Sequence, residues 1–177
     1  MVFTGGEDVT PSLYAERRHF TTGSCQLRDM RESTFYKAGI EHGSKMVGIC
    51  RGAQFLTVMN GGKLVQHIAG HDIAGGHPLE TAHEVEGEVV ITSTHHQCMS
   101  PYNLDSLDYE VVAWGHSDKM EAVPTHHPDS LVPEVVWYPI TNCLCVQGHP
   151  EYMPEDSSGY QYFQFLLKHL ILENNNG

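Results

Sequence analysis

Residues 45–56, KMVGICRGAQFL, set one cysteine between two glycines where an apolar run gives way to helical spacing. KMVGI reads as a buried strand. From Arg51 to Met59 the residues Ala53, Phe55, Leu56 and Met59 fall near one helical face, and Asn60-Gly61-Gly62 ends the pattern. A residue on so sharp a strand-to-helix turn takes a strained backbone, and strand and helix approach closely only if its neighbours are small; Gly48 and Gly52 meet that need. The turn commits the chain to layering a helix on the strand before it, an α/β arrangement.

Cys50 also stands at a helix N-terminus. There the macrodipole and free N–H groups favour a thiolate, so its pKa is expected to fall from about 8.5 toward neutrality, and a backbone N–H is available to a developing oxyanion. By itself the motif fits a buried structural cysteine as well as a nucleophile, and a base decides between them. Of thirteen histidines, His149 in CLCVQGHPE follows an apolar strand, with Glu151 two residues on. Both can emerge from that strand end into one cleft. A carboxylate that orients a histidine holds the tautomer able to take a thiol proton, and Pro150 stiffens the segment between them.

The rest of the chain is consistent with one domain. Its 177 residues are 40% apolar, enough for a sizeable core. Ten Lys and Arg against 22 Asp and Glu give a net charge of −12, which argues against nucleic acid and anionic membranes as partners. No apolar stretch reaches bilayer-spanning length and no signal-peptide pattern opens the chain, so a cytoplasmic protein is expected. Five irregularly spaced cysteines predict free thiols. Residues 27–42 read as a helix, 63–87 as a long Gly- and His-rich surface loop, and 157–172 as a final helix before a frayed ENNNG tail. Strand-like runs lie at 88–93, 109–114, 119–124, 134–138 and 143–147.

Six segments resemble, in order, the class I glutamine amidotransferases, and within them the gamma-glutamyl-hydrolase-like branch: TGGEDVTPSLY, RDMRE, GICRGAQ, GGKLVQ, STHHQ and VQGHPE. The resemblance implies a flavodoxin-like, three-layer α/β fold with a mainly parallel central sheet and antiparallel additions, spanning residues 1–177 as one domain. It implies Cys50 as nucleophile, His149 as general acid and base, and Glu151 as its orienter. It implies an oxyanion hole from the backbone N–H groups of Gly6 and Arg51. The reaction would be attack on glutamine or a gamma-glutamyl amide, release of ammonia or an amine, and hydrolysis of a gamma-glutamyl thioester, with no cofactor. By analogy Gln54, His95, His96 and Gln97 contact substrate. Asp29 and Glu32 read only as acidic complements of a helix dipole.

Four positions depart from the family pattern: Thr4, His67, Lys119 and Gly148. Gly148, where a bulky residue is usual, is expected to widen the cleft beside His149. The opening MVF stands where the family has a strand, a helix and a further strand. An N-terminally shortened sheet exposes an edge and an apolar face, so a homo-oligomer or a partner protein is expected over it. Two other roles fit the motifs: a glutaminase subunit passing ammonia to a synthase, or an inactive interaction protein retaining the fold. The adjacent pairs His95-His96 and His126-His127 point to opposite faces if extended, so no metal is expected.

Overall fold

The computed structural model describes residues 1–173. In chain order the elements are β1 (Val2–Phe3), α1 (Gln26–Glu41), β2 (Met46–Ile49), α2 (Arg51–Met59), β3 (Lys63–Val65), β4 (His67–Ile68), β5 (Asp72–Thr81), β6 (Val89–Thr94), β7 (Cys98–Ser100), β8 (Glu110–His116), β9 (Met120–Glu121), β10 (Leu131–Tyr138), β11 (Cys143–Val146) and α3 (Ser158–Leu166). Seven strands form the central sheet in the order β1-β2-β11-β10-β8-β5-β6. β2 pairs in parallel with both β1 and β11. The strands from β11 to β6 are joined by four antiparallel pairings. The antiparallel additions that the resemblance implied are present and run from β11 to β6. Two short ribbons, β3 with β7 and β4 with β9, stand apart from this sheet.

Period-two alternation gives each central strand two apolar faces, as a sheet covered on both sides requires. Met46, Val136, Tyr138, Cys143 and Cys145 face the helix side and pack with Tyr36, Ala53, Phe55 and Leu56. Val47, Val135, Trp137, Leu144 and Val146 face the other way, against Tyr162, Leu166 and Ile171. Each fully buried side chain of this kind contributes about 1.5–3 kcal/mol. The result is three layers: α1 and α2, the sheet, and α3. Val65, Ile68, Cys98 and Val132 form a small core beneath the ribbons.

The stretch 63–87 is not one loop. It holds β3, β4 and the ten-residue β5, which lies between β8 and β6. Its alternation is masked in the sequence because the register against β6 shifts between Ile73 and His77, around a pair of glycines. The last helix begins with the Ser157 Oγ accepting the Tyr160 N–H at 3.3 Å and, after α3, continues as a wider turn over Leu167–Leu172. The expected frayed tail, apart from Glu173, lies outside the described residues. Among the described residues, the outer edge of β1 has no partner strand, and Met1, Val2 and Phe35 are exposed beside it. No helix among them is long and apolar enough to cross a membrane.

The elbow glycines are steric requirements. A Cβ on Gly48 would lie 2.5 Å from the Gly52 carbonyl oxygen, and one on Gly52 would run into the backbone of Phe3. Gly52→Ala must therefore push α2 away from β1, with an expected loss of about 1–3 kcal/mol. Thermal unfolding measures it. Gly23→Ala, where nothing lies within 4 Å of the added Cβ, is the control.

Candidate active site

Three strand ends converge. The Gly5-Gly6 turn follows β1, Cys50 follows β2 and His149 follows β11, so the site lies beyond the C-terminal ends of three adjacent parallel strands, the usual position for a site on an open α/β sheet. Cys50 has φ 52° and ψ −113°, a backbone that costs a non-glycine residue about 1–3 kcal/mol. Its surroundings hold it there. The Cys50 N–H donates to the Val146 carbonyl at 2.8 Å, and the Cys50 carbonyl accepts from the N–H groups of Ala53 and Gln54 at 3.0 and 3.2 Å.

The His149 Nδ1 donates to Glu151 Oε1 at 2.7 Å, which leaves Nε2 as the acceptor. The Thr92 hydroxyl accepts the His149 N–H at 2.7 Å, and the Tyr152 ring stacks on the imidazole with centroids 5.0 Å apart. Gly5 lies beside both the cysteine and the histidine. A Cβ on it would stand 3.7 Å from both Cys50 Cβ and His149 Nε2, and 2.9 Å from His149 Cε1. The Gly148 effect differs from the expected widening. The space its side chain would take lies 3.1 Å from Ile91 Cδ1 and 3.2 Å from the Thr92 carbonyl oxygen, so the glycine lets the His149 segment close onto β6.

The thiol is not a ready-made thiolate. Burial pushes the Cys50 pKa up to about 11; the Arg51 backbone N–H pulls it down by less, and the Glu151 carboxylate adds to the rise. The expected helix-terminus depression is outweighed because Cys50 is only 8% exposed. At neutral pH the thiol is protonated, and a base must take its proton when it reacts. This has a measurable sign. In a His149→Ala chain, iodoacetamide labelling of Cys50 is expected to rise about tenfold per pH unit from pH 7 to 9, as the thiolate fraction does below its pKa. A plateau by pH 8 would contradict the raised value.

A cleft of ≈ 340 Å³ lies against the elbow, lined in part by Gly6, Cys50, Arg51, Gln54, His95, His96 and Gln97. Each anticipated binding residue borders it, but in different ways. The Gln54 amide donates to the Gln97 carbonyl and to Gln147 Oε1, both at 3.2 Å. The Gln97 side chain is fully buried and donates to the Thr22 hydroxyl at 3.1 Å, so it supports the wall. His96 Nε2 lies 3.2 Å from Asp8 Oδ1, and the Asp8 carboxylate raises the His96 pKa against the opposing effect of burial. The His95 ring turns toward Glu134, with its Nε2 3.3 Å from Oε1.

Asp29 and Glu32 do more than complement a dipole. The Arg51 guanidinium, on a side chain 2% exposed, forms ion pairs with both, donates to the Glu7 carbonyl at 3.1 Å and lies over the Phe55 ring at 4.9 Å. Arg28 donates to the carbonyls of Thr4 and Gly5, both at 2.9 Å, and pairs with Glu7 and Glu32. The RDMRE segment thus fastens α1 to the Gly-Gly turn and to the first turn of α2. Both arginines thus brace the backbone at the Gly-Gly turn and at the start of α2, contacts the acidic residues alone did not reveal.

The sequence profile of the Peptidase C26 family matches residues 1–140. The chain is 30% identical over 163 residues to the glutamine amidotransferase-like protein YvdE of Lactococcus lactis subsp. lactis, covering 85% of this chain and 65% of that one. It is also 30% identical over 168 residues to a Mycobacterium tuberculosis protein named as a glutamine amidotransferase, Rv2859c, covering 88% and 51%. The chain therefore spans between half and two thirds of the length of these relatives. Among solved structures, a Thermoplasma acidophilum protein described as belonging to a GMP synthase superposes with a TM-score of 0.59 at 18% identity, covering 94% of this chain and 70% of that one. PurLQS of Thermotoga maritima superposes with a TM-score of 0.53 at 19% identity, covering 78% and 68%. These two show the shared fold. With the family profile matched over most of its length, the chain belongs to the Peptidase C26 family of glutamine amidotransferase-like proteins.

Proposed function

We propose that this chain is a cysteine-dependent hydrolase of glutamine or gamma-glutamyl amides, acting through a gamma-glutamyl thioester. The observation that carries the reading is the cysteine on a strained elbow beside a histidine whose Nδ1 is held by Glu151 at 2.7 Å. His149 Nε2 takes the thiol proton as Cys50 Sγ attacks the amide carbon. The backbone N–H groups of Gly6 and Arg51 receive the oxyanion, each donor being worth about 10²- to 10³-fold in rate. Collapse expels ammonia or an amine, which takes the proton from His149. Water, deprotonated by the same nitrogen, then cleaves the thioester to the free acid. A cleft of ≈ 340 Å³ is near the lower end for small-molecule sites and suits one small substrate.

Incubation with glutamine and a panel of gamma-glutamyl amines, compared with Cys50→Ala, tests the reading by the ammonia or amine released. Equal release from both chains across the panel would refute it. The structural neighbour described as a GMP synthase subunit favours a second reading, a glutaminase subunit that passes ammonia to a partner synthase. Turnover of glutamine that appears only when a synthase is added would select it.

A further inference from the structure

Away from the cysteine cleft, His71, His77, His95 and Glu134 converge from different parts of the sheet. Each offers one ligand atom, and these atoms all lie within 4.8 Å of one another. His71 immediately precedes β5 and His77 lies within it. His95 follows β6. Glu134 stands in β10 at a register shift between Pro133 and Val135. Their inward atoms, His71 Nδ1, His77 Nε2 and His95 Nε2, lie 3.1, 3.2 and 3.3 Å from Glu134 Oε1.

Such an arrangement can be three N–H groups aimed at a carboxylate or three lone pairs aimed at a cation. For neutral rings the outer nitrogens distinguish the two. His71 Nε2 donates to the His116 carbonyl at 3.1 Å, His77 Nδ1 to the Pro78 carbonyl at 3.0 Å, and His95 Nδ1 to the Gln97 carbonyl at 2.9 Å. A carbonyl only accepts, so each outer nitrogen carries a proton and each inward one in a neutral ring is a bare lone pair. None of the three inward nitrogens and neither Glu134 oxygen makes a well-aligned hydrogen bond. The Glu134 side chain is fully buried, and those of His71 and His95 are 3% and 2% exposed. Four lone-pair donors facing one another repel unless ring protons or a metal cation lie between them, and a metal cation at their centre satisfies all four at once.

We propose that His71, His77, His95 and Glu134 bind one divalent first-row transition ion, zinc by the character of the ligand set. Zinc bonds of about 2.0–2.1 Å place tetrahedral ligands about 3.3 Å apart, the spacing already present from Glu134 Oε1 to the three rings. The backbone carbonyls on the outer nitrogens are the outer-shell partners that orient ligating imidazoles. Gly115 leaves room for the rings: a Cβ there would stand 3.0 Å from His77 Cε1 and 3.4 Å from His71 Cε1. A cleft of ≈ 430 Å³ reaches His71 and His77 from the solvent side and gives the ion a way in. Four protein ligands close the coordination shell, which is the structural kind of site. The ion cross-links β5, β10 and the segment His95–Gln97 that walls the cysteine cleft. The Glu134 backbone carbonyl also accepts the Gln147 N–H at 2.8 Å, two residues before His149.

The untagged full chain, stripped with a chelator, is titrated with Zn²⁺ and with Co²⁺. About one ion per chain is expected, with the intense visible bands of four-coordinate Co²⁺ and an unfolding temperature that rises with free Zn²⁺. His77→Gln, at the solvent side of the cluster, and Glu134→Gln are expected to weaken binding by at least the ~10- to 100-fold that loss of an outer-shell partner costs, whereas His126→Gln leaves it unchanged. If Glu134→Gln does not fold, the wild-type Co²⁺ spectrum and His77→Gln carry the test. Stoichiometry far below one with no thermal shift, or affinity unchanged in His77→Gln, would overturn the proposal; the latter result would assign any bound ion to surface histidines.

Discussion

Cys50→Ala is expected to lower turnover of a gamma-glutamyl amide by about 10⁴- to 10⁶-fold, as removing the nucleophile of a concerted catalytic group does. It is also expected to abolish covalent labelling by a glutamine-mimicking electrophile. The fold is expected to persist. The exchange removes one sulfur from a position whose backbone is set by the Val146 carbonyl and the first turn of α2, and circular dichroism would confirm it. His149→Ala is expected to cost nearly as much, because burial holds the Cys50 thiol at about pKa 11 and without the imidazole no neighbour takes its proton. The double variant is expected to be no worse than Cys50→Ala alone, since the two act as a unit. Glu151→Gln is expected to cost less, since that carboxylate is 43% exposed and water can replace part of its orienting effect. Undiminished turnover in Cys50→Ala would remove the cysteine from the chemistry.

The parts of the site that share a short segment of chain were legible in the sequence. The elbow around Cys50 and the His149–Glu151 pair each occupy a few consecutive residues, so spacing alone assigns their geometry. The strands that bring them together were legible too, because KMVGI and the run at 143–147 are short apolar runs next to turn signals; that they pair in parallel was what the resemblance implied. What failed to show was whatever depends on long-range pairing. β5 was hidden because its paired glycines and Pro78 resemble loop residues, and a bulge breaks its alternation. Glu134 looked like one charge in an apolar run. Its partners lie 63, 57 and 39 positions away, so no local spacing marks the cluster. His95 and His96 illustrate the same limit. Their divergence was foreseeable, but the sequence did not say that one would turn to Glu134 and the other to Asp8. The thiol pKa was misjudged for a related reason: the helix terminus is a local feature, whereas the burial that outweighs it comes from the whole fold.

Asp29→Ala is expected to destabilise the protein by about 3–5 kcal/mol, the cost of removing one partner from a buried ion pair. The Arg51 and Asp29 side chains are each 2% exposed, so the guanidinium left behind cannot recover its water. Glu32 remains as a partner at 16% exposure and keeps the loss from being larger. A second contribution comes from the Thr10 N–H, which donates to Asp29 Oδ2 at 3.1 Å and would lose its acceptor. At roughly 2 kcal/mol per molar for a domain of this size, the urea midpoint is expected to fall by about 1.5–2.5 M. That is a large share of the 5–15 kcal/mol available to a typical domain. Asp29→Asn keeps an acceptor for Thr10 and is expected near the low end of the range. The effect reaches the chemistry because the Arg51 side chain anchors the turn whose backbone N–H faces Cys50. In the fraction that still folds, electrophile labelling of Cys50 is expected to slow relative to wild type. A midpoint within 0.3 M or so of wild type would show that Arg51 is held by Glu32 and the Glu7 carbonyl alone.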